Sequence, residues 1–345
     1  MRVPGVDRAR WLGHRWRRHG LGAGDPVGSA LDDLLLLGFQ DSRGGGAAQS
    51  IAARTSHLEA ITVDGPLVVM WSVRGAPHAH RLDDIDLVRD ALAPAPTDEG
   101  GPAYVDAVGE VAAALSAVVT GPTPKGTASH EVKARVSPGL VRMCPTCEVE
   151  HVNDGLFRAG GRAAQLVLDP EERRSTMLHP APPHPGRPVG HPRGALLDTF
   201  LRVNGPTTRT VFRDWSGMGT ETVAGLWPET VRVTVDGRRL ELPEAIRAEV
   251  DGAPDAEGVV LVPPHDPYLR QVDRTLLVPD GARRREVWRA LSPPGAVLVD
   301  GEVAGTWRYR RSDKALTVTP FERLSRAAVE DGARRVVGAP TVLWS

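Results

Sequence analysis

Between Thr199 and Leu242 the apolar positions change period, first helical and then alternating. Thr207 and Thr208, after Gly205-Pro206, suit the cap of a helix running to about Trp215. Gly217 and Gly219 break it, and a second helix from Thr220 to about Trp227 stops at Pro228. Val231, Val233 and Val235 then alternate with polar residues, Asp236-Gly237 supplies a two-residue turn, and Leu240 and Leu242 continue the return strand. Two short helices followed by a hairpin is the order of a winged helix, a helix-turn-helix with a β wing.

The same order recurs upstream. Val105, Val108, Ala112, Leu115 and Val119 share one face of a helix from Tyr104 to Val119, which Gly121-Pro122-Thr123-Pro124 ends. The pattern then predicts a helix over Ser129–Val136, a Ser137-Pro138-Gly139 turn and a second helix from about Leu140. Two strands follow, His151 to Arg158 and Ala164 to Leu168, joined through Gly160-Gly161. Near the start, Leu31 to Phe39 and Ala47 to Thr55 read as helices around Gly44-Gly45-Gly46, and Asp64-Gly65 leads into an apolar strand, Leu67 to Val73.

After Asp255 short strands dominate: Val259–Val262, Leu276–Val278, Ala296–Val299, Val303–Tyr309 and Leu316–Val318, with Asp300-Gly301 as a hairpin turn and a closing helix from Ser325 to about Val337. The stretch His179 to Arg193, with six prolines and three histidines, reads as an exposed linker. The expected fold is therefore α+β: a first winged helix in residues 1–98, a second with the linker in 99–194, a third in 195–252, and a β-rich domain in 253–345.

Composition narrows the setting. The 345 residues contain 41% hydrophobic and 25% charged positions, the balance of a globular protein. No apolar run approaches the roughly 20 residues of a membrane span, and no secretory segment is visible, so a cytoplasmic, nucleoid-associated protein without membrane contact is expected. The 42 basic and 43 acidic residues nearly cancel, which excludes a uniformly basic coat. Three of the basic residues, Lys125, Lys133 and Lys314, are lysines and the rest arginines. The arginines cluster at Arg8, Arg10, Arg15, Arg17 and Arg18 and again at Arg283, Arg284, Arg285 and Arg289, as suits phosphate contact, although a GC-rich coding bias also gives such a composition.

Five strings in order carry a resemblance: Leu37-Gly38-Phe39-Gln40-Asp41-Ser42, Trp71-Ser72-Val73-Arg74-Gly75-Ala76-Pro77-His78, His151-Val152 ahead of Leu156-Phe157-Arg158, Asp266-Pro267-Tyr268-Leu269 before Asp273-Arg274, and Gly301-Glu302-Val303-Ala304-Gly305-Thr306-Trp307-Arg308. Over nearly its whole length the chain resembles the AlkZ-like winged-helix DNA glycosylases. The resemblance implies a C-shaped molecule of three winged helices and a β-barrel-like C-terminal domain, with duplex DNA in the concavity. It implies hydrolysis of the N-glycosidic bond of alkylated purines, including bulky or crosslinked N7-alkylguanine adducts, by a monofunctional enzyme without metal or nucleotide cofactor. The family signature, a glutamine followed two positions on by glutamine or aspartate, falls on Gln40, with Ser42 at the third position and the carboxylate of Asp41 between.

An N7-alkylated guanine is cationic and leaves without a strong acid, so the enzyme must place a water and stabilise an oxocarbenium-like sugar. Gln40 suits the water, Asp41 the charge and the proton, and Ser42 an auxiliary role. The bland alternative makes Asp41 and Ser42 helix caps. Arg43, Arg74, His78, Lys125, Arg209, Arg308 and Arg310 are the expected DNA contacts, with His80 and Arg311 beside them and Trp307 on the same return strand. Cys144, Cys147 and His151 supply three potential zinc ligands, and a closed site needs a fourth, for which His179, His184 or His191 are available. One CxxC without a second is a weak signal, so reduced cysteines and no metal are expected. The expected partner is double-stranded DNA, bound by a monomer. A non-catalytic winged-helix DNA-binding protein is the alternative, and a protein-interaction module a third reading.

Overall fold

The computed structural model describes residues 4–22, 30–41, 45–57, 59–172 and 175–345, a mixed α+β chain in two compact units. One comprises residues 1–58, 198–212 and 228–345, the other 59–197 and 213–227. No helix among the described residues is long and apolar enough to cross a membrane.

In the first unit five strands, Val259–Val262, Gly295–Val299, Glu302–Arg310, Ala315–Pro320 and Thr341–Trp344, form a sheet in that order. The pairs are antiparallel except the last, which is parallel. Both outer strands remain edges, so the expected barrel does not close. Asp300 and Gly301 both take positive φ, the geometry that a two-residue hairpin turn requires. Helix Arg326–Val337 covers the sheet, where Gly332 lets it approach: a Cβ there would stand 2.9 Å from Leu261. The hairpin Thr230–Val235/Arg238–Pro243 turns as expected on Asp236-Gly237. Its inward Val233, Val235, Leu240 and Leu242 share one core with Trp11 and Trp16 of helix Arg8–Arg18 and with Tyr268, Leu298 and Leu316.

The second unit runs helix Gly101–Val118, short strand Thr123–Pro124, helix Lys125–Lys133, hairpin Val141–Met143/Glu150–Val152, helix Asp154–Ala163, and strands Leu166–Leu168 and Met177–Pro180. Here the sequence reading needs correction. The second helix does not begin near Leu140, where a hairpin stands, and His151–Arg158 is not a strand. Asn153 caps the helix that replaces it, accepting from Gly155 N at 2.9 Å. Gly160 and Gly161 are helical, and their Cβ atoms would meet Val111 at 2.5 Å and Trp71 at 2.3 Å. They mark close packing and not a turn. Within this unit strands Pro77–Arg81, Leu67–Trp71, Leu166–Leu168, Met177–Pro180 and Thr123–Pro124 follow one another, each antiparallel to the next.

Smaller departures have local causes. Leu276–Val278 is not a strand, because Asp273 accepts from Thr275 N at 2.8 Å and starts helix Arg274–Leu277. Strand Met177–Pro180 takes the first residues of the expected linker, and His184 of that segment bonds Asp86 at 3.2 Å. Helices Arg209–Ser216 and Thr220–Leu226 stand where the spacing predicts them.

Candidate active site and nucleic-acid interface

Gln40 lies at the end of a run that the chain buries tightly. Helix Ala30–Leu37 closes on Gly38, whose φ of 89° and N–H bond to Leu34 O at 2.8 Å turn the chain into strand Phe39–Gln40. Phe39 is fully buried, with the Arg54 guanidinium 5.2 Å from its ring centre. Gln40 is half-buried, and its side-chain carbonyl Oε1 is enclosed without a hydrogen-bond partner among the described residues. Asp41, also half-buried, accepts from Ala47 N at 3.2 Å in helix Gly46–Ala52. Ser42 and Arg43 lie outside the described residues.

This segment is held by groups that the sequence reading did not single out. Arg54 forms a bidentate pair with Asp266, both distances 2.8 Å and both side chains fully buried, and also donates to His19 O and Ser50 O. Beside it Arg15 donates to Asn204 Oδ1 at 2.6 Å and to Tyr268 O at 2.8 Å, while Asn204 Nδ2 donates to Gln271 Oε1. Burial brings Arg15 down to about 10 and holds His19 well below its ordinary value. Asp266-Pro267-Tyr268 was legible as a family string, but its partners are up to 253 residues away.

Several members of the arginine clusters are engaged within the fold. Arg8 bonds Glu302 at 2.6 Å and Asp236 at 2.8 Å, Arg10 donates to Ala253 O, and Arg18 pairs with Glu249. Arg284 donates to Val278 O and Arg289 pairs with Glu286.

Among the expected DNA contacts, Arg308 is exposed on strand Glu302–Arg310 and has no ion-pair partner among the described residues. Arg310 is exposed but bonded to Asp313 at 2.8 Å, which raises its pKa. Arg311 is nearer the signature than either: a Cβ on Gly45 would stand 3.9 Å from its guanidinium. Trp307 is core, its indole donating to Val262 O at 3.0 Å. Arg209 is exposed and stands 3.6 Å from Glu241.

In the second unit, Arg74 is exposed at φ 54° and donates to Trp215 O at 2.8 Å. It lines a cleft of about 830 Å³ with Arg158, Arg213 and Glu221. Asp98 borders the cleft and accepts from Gly219 N at 2.9 Å and Thr222 Oγ1 at 2.6 Å, which caps helix Thr220–Leu226. Arg158 of the cleft is held by Asp154 at 2.6 Å and Gly75 O at 3.0 Å. Lys125 is half-buried and tied to the same Asp154 at 2.5 Å. His78 is 3% exposed and pairs through Nδ1 with Ala76 O at 2.9 Å, so its expected reach to a phosphate from a loop is corrected; His80 is buried as well.

Cys144, Cys147 and His151 come together on the Val141–Val152 hairpin, their ligand atoms all within 4.8 Å of one another. Hydrogen bonds from the backbone N–H groups of Cys147 and Thr146 bring the Cys144 thiol down to about 6.

Compared with known proteins, residues 47–339 match the model of the family described as DNA glycosylase AlkZ-like. Among solved structures, Streptomyces sahachiroi DNA glycosylase AlkZ is similar in fold, with a TM-score of 0.73 at 18% identity over 99% of this chain and 99% of that one. No curated protein matches the sequence.

Proposed function

The chain belongs to the AlkZ-like DNA glycosylases, and from that premise we propose that it hydrolyses the N-glycosidic bond of N7-alkylated purines in duplex DNA. The solved relative of the same fold is named a DNA glycosylase. The observation that carries the proposal is the enclosed Oε1 of Gln40, which has no hydrogen-bond partner among the described residues. A buried acceptor without a donor is costly, and a water donating to it would satisfy the group and be held for attack.

In this reading the C1′–N9 bond breaks with its electron pair passing to the cationic purine, which leaves neutral. The water oxygen on Gln40 bonds the anomeric carbon, and Asp41 stabilises the positive sugar and takes the water's proton. Asp41 keeps its cap on Ala47 N meanwhile. The three helix–helix–hairpin segments are read as winged helices. In the second, helix Asp154–Ala163 precedes the paired strands and offers Arg158, while Arg74, Arg209 and Arg308 supply further phosphate contacts.

The test is to incubate the full chain with duplex and single-stranded oligonucleotides carrying one N7-methylguanine, and to measure abasic sites. Release from the alkylated duplex, absent from the undamaged one and reduced by Asp41→Asn, is expected. Retention of the duplex without release of any adduct would favour the non-catalytic DNA-binding alternative.

A further inference from the structure

We propose that the hairpin Val141–Val152 carries a zinc site in which Cys144 Sγ, Cys147 Sγ and His151 Nε2 are three ligands and a solvent molecule completes the tetrahedron. This goes against the sequence expectation of no metal, which rested on an isolated CxxC.

Three observations carry it. First, the ligand atoms already stand at coordination spacing. Zinc bonds of about 2.3 Å to sulfur and 2.0–2.1 Å to nitrogen, at a tetrahedral angle, set the two atoms about 3.5 Å apart. Cys147 Sγ and His151 Nε2 are 3.4 Å apart.

Second, the imidazole is oriented as a ligand. His151 Nδ1 lies 2.7 Å from Val152 O, and a carbonyl only accepts, so Nδ1 carries a hydrogen and the ring presents Nε2 to Cys147 Sγ. Backbone N–H groups of Thr146 and Cys147 also point at Cys144 Sγ. The turn is closed by Cys144 N to Val149 O at 3.0 Å and Glu148 N to Cys144 O at 2.9 Å.

Third, the hairpin buries little apolar surface of its own, although strand Glu150–Val152 packs on helix Lys125–Lys133 and Lys133 pairs with Glu150 at 3.0 Å. Its two strands are three residues each, Val152 is its buried apolar residue, and Met143 and Val149 are 60% and 55% exposed. A two-stranded ribbon this short is marginal in water, and a metal staple supplies what a core does not. No fourth His, Cys, Asp or Glu joins the cluster among the described residues, and Cys147 is exposed, so the remaining position faces solvent. Of the loop histidines, His184 is taken by Asp86 and Pro182 O, and His179 stands 3.9 Å from Asp169.

The experiment uses the full untagged chain, purified reduced and without chelator. Elemental analysis after dialysis is expected to give about one zinc per chain in the wild type, with a loss to background in Cys144→Ser and in Cys147→Ser. Because a serine variant can fail to fold, wild-type apoprotein is also titrated with cobalt(II). Sulfur-to-cobalt charge transfer with tetrahedral d–d bands is expected, together with protection of both thiols from alkylation by added zinc. Zinc at background in the wild type, a cobalt spectrum without charge transfer, or zinc content equal in wild type and folded serine variants overturns the proposal.

Discussion

Arg54 and Asp266, 212 residues apart, meet as a bidentate pair with both distances 2.8 Å and neither side chain exposed. The same guanidinium lies 5.2 Å from the Phe39 ring, so the pair ties the C-terminal segment to the residue preceding Gln40.

Removing one member strands a buried charge. Asp266→Ala is expected to lower unfolding free energy by about 3–5 kcal/mol, and the double variant Arg54→Met/Asp266→Leu by less. Urea denaturation of the three proteins checks this, and equal losses in single and double variants would contradict it.

Gly161 offers a packing test. A Cβ there would stand 2.3 Å from the Trp71 ring, which is itself buried in its strand. Gly161→Ala is expected to cost about 1–3 kcal/mol, whereas Gly109→Ala, with open space around it, should stabilise its helix by up to about 1 kcal/mol. Thermal melts of both variants read the opposite signs.

Stability should fall with acid before carboxylates titrate. Burial lowers His14 to about 4, with Arg18 and Arg15 adding to the shift against Glu249, and lowers His19 beside Arg15 and Arg54. The unfolded chain takes up these protons near pH 6.5 while the folded chain does not, so the unfolded state binds more protons through this window. His14 then removes about 1.4 kcal/mol per pH unit as pH falls from 6.5 toward 4, and His19 acts in the same direction. Urea midpoints at pH 7, 6 and 5 measure the slope, and a flat profile would contradict the burial argument.

Arg308 provides the electrostatic test. It is exposed and unpaired among the described residues, whereas Arg310 is held by Asp313. Arg308→Ala is expected to weaken duplex binding and to reduce the salt slope of log K by about 1, while Arg310→Ala changes it less. Fluorescence anisotropy at several salt concentrations separates the two.

How much was legible follows the range of each interaction. Asp236-Gly237 and Asp300-Gly301 announced their hairpins because positive φ is needed at both central positions, and both residues of each pair adopt it. Helix Asp154–Ala163 was missed because Gly160-Gly161 reads locally as a turn, while its real cause is the approach of Val111 and Trp71 from elsewhere in the chain. The signature segment was visible as a string, but nothing near it in sequence shows that Arg54 and Asp266 support it or that Arg311 stands by Gly45. The histidines of Pro77–Arg81 look mobile in sequence, and only strand pairing reveals that they are buried.

The most direct measurement is single-turnover release of N7-methylguanine from duplex DNA by wild type and Gln40→Ala at matched DNA occupancy. The account predicts release by wild type and a rate lower by about 10²-fold or more in the variant, with duplex binding unchanged. Equal rates, or no release by wild type, would contradict it.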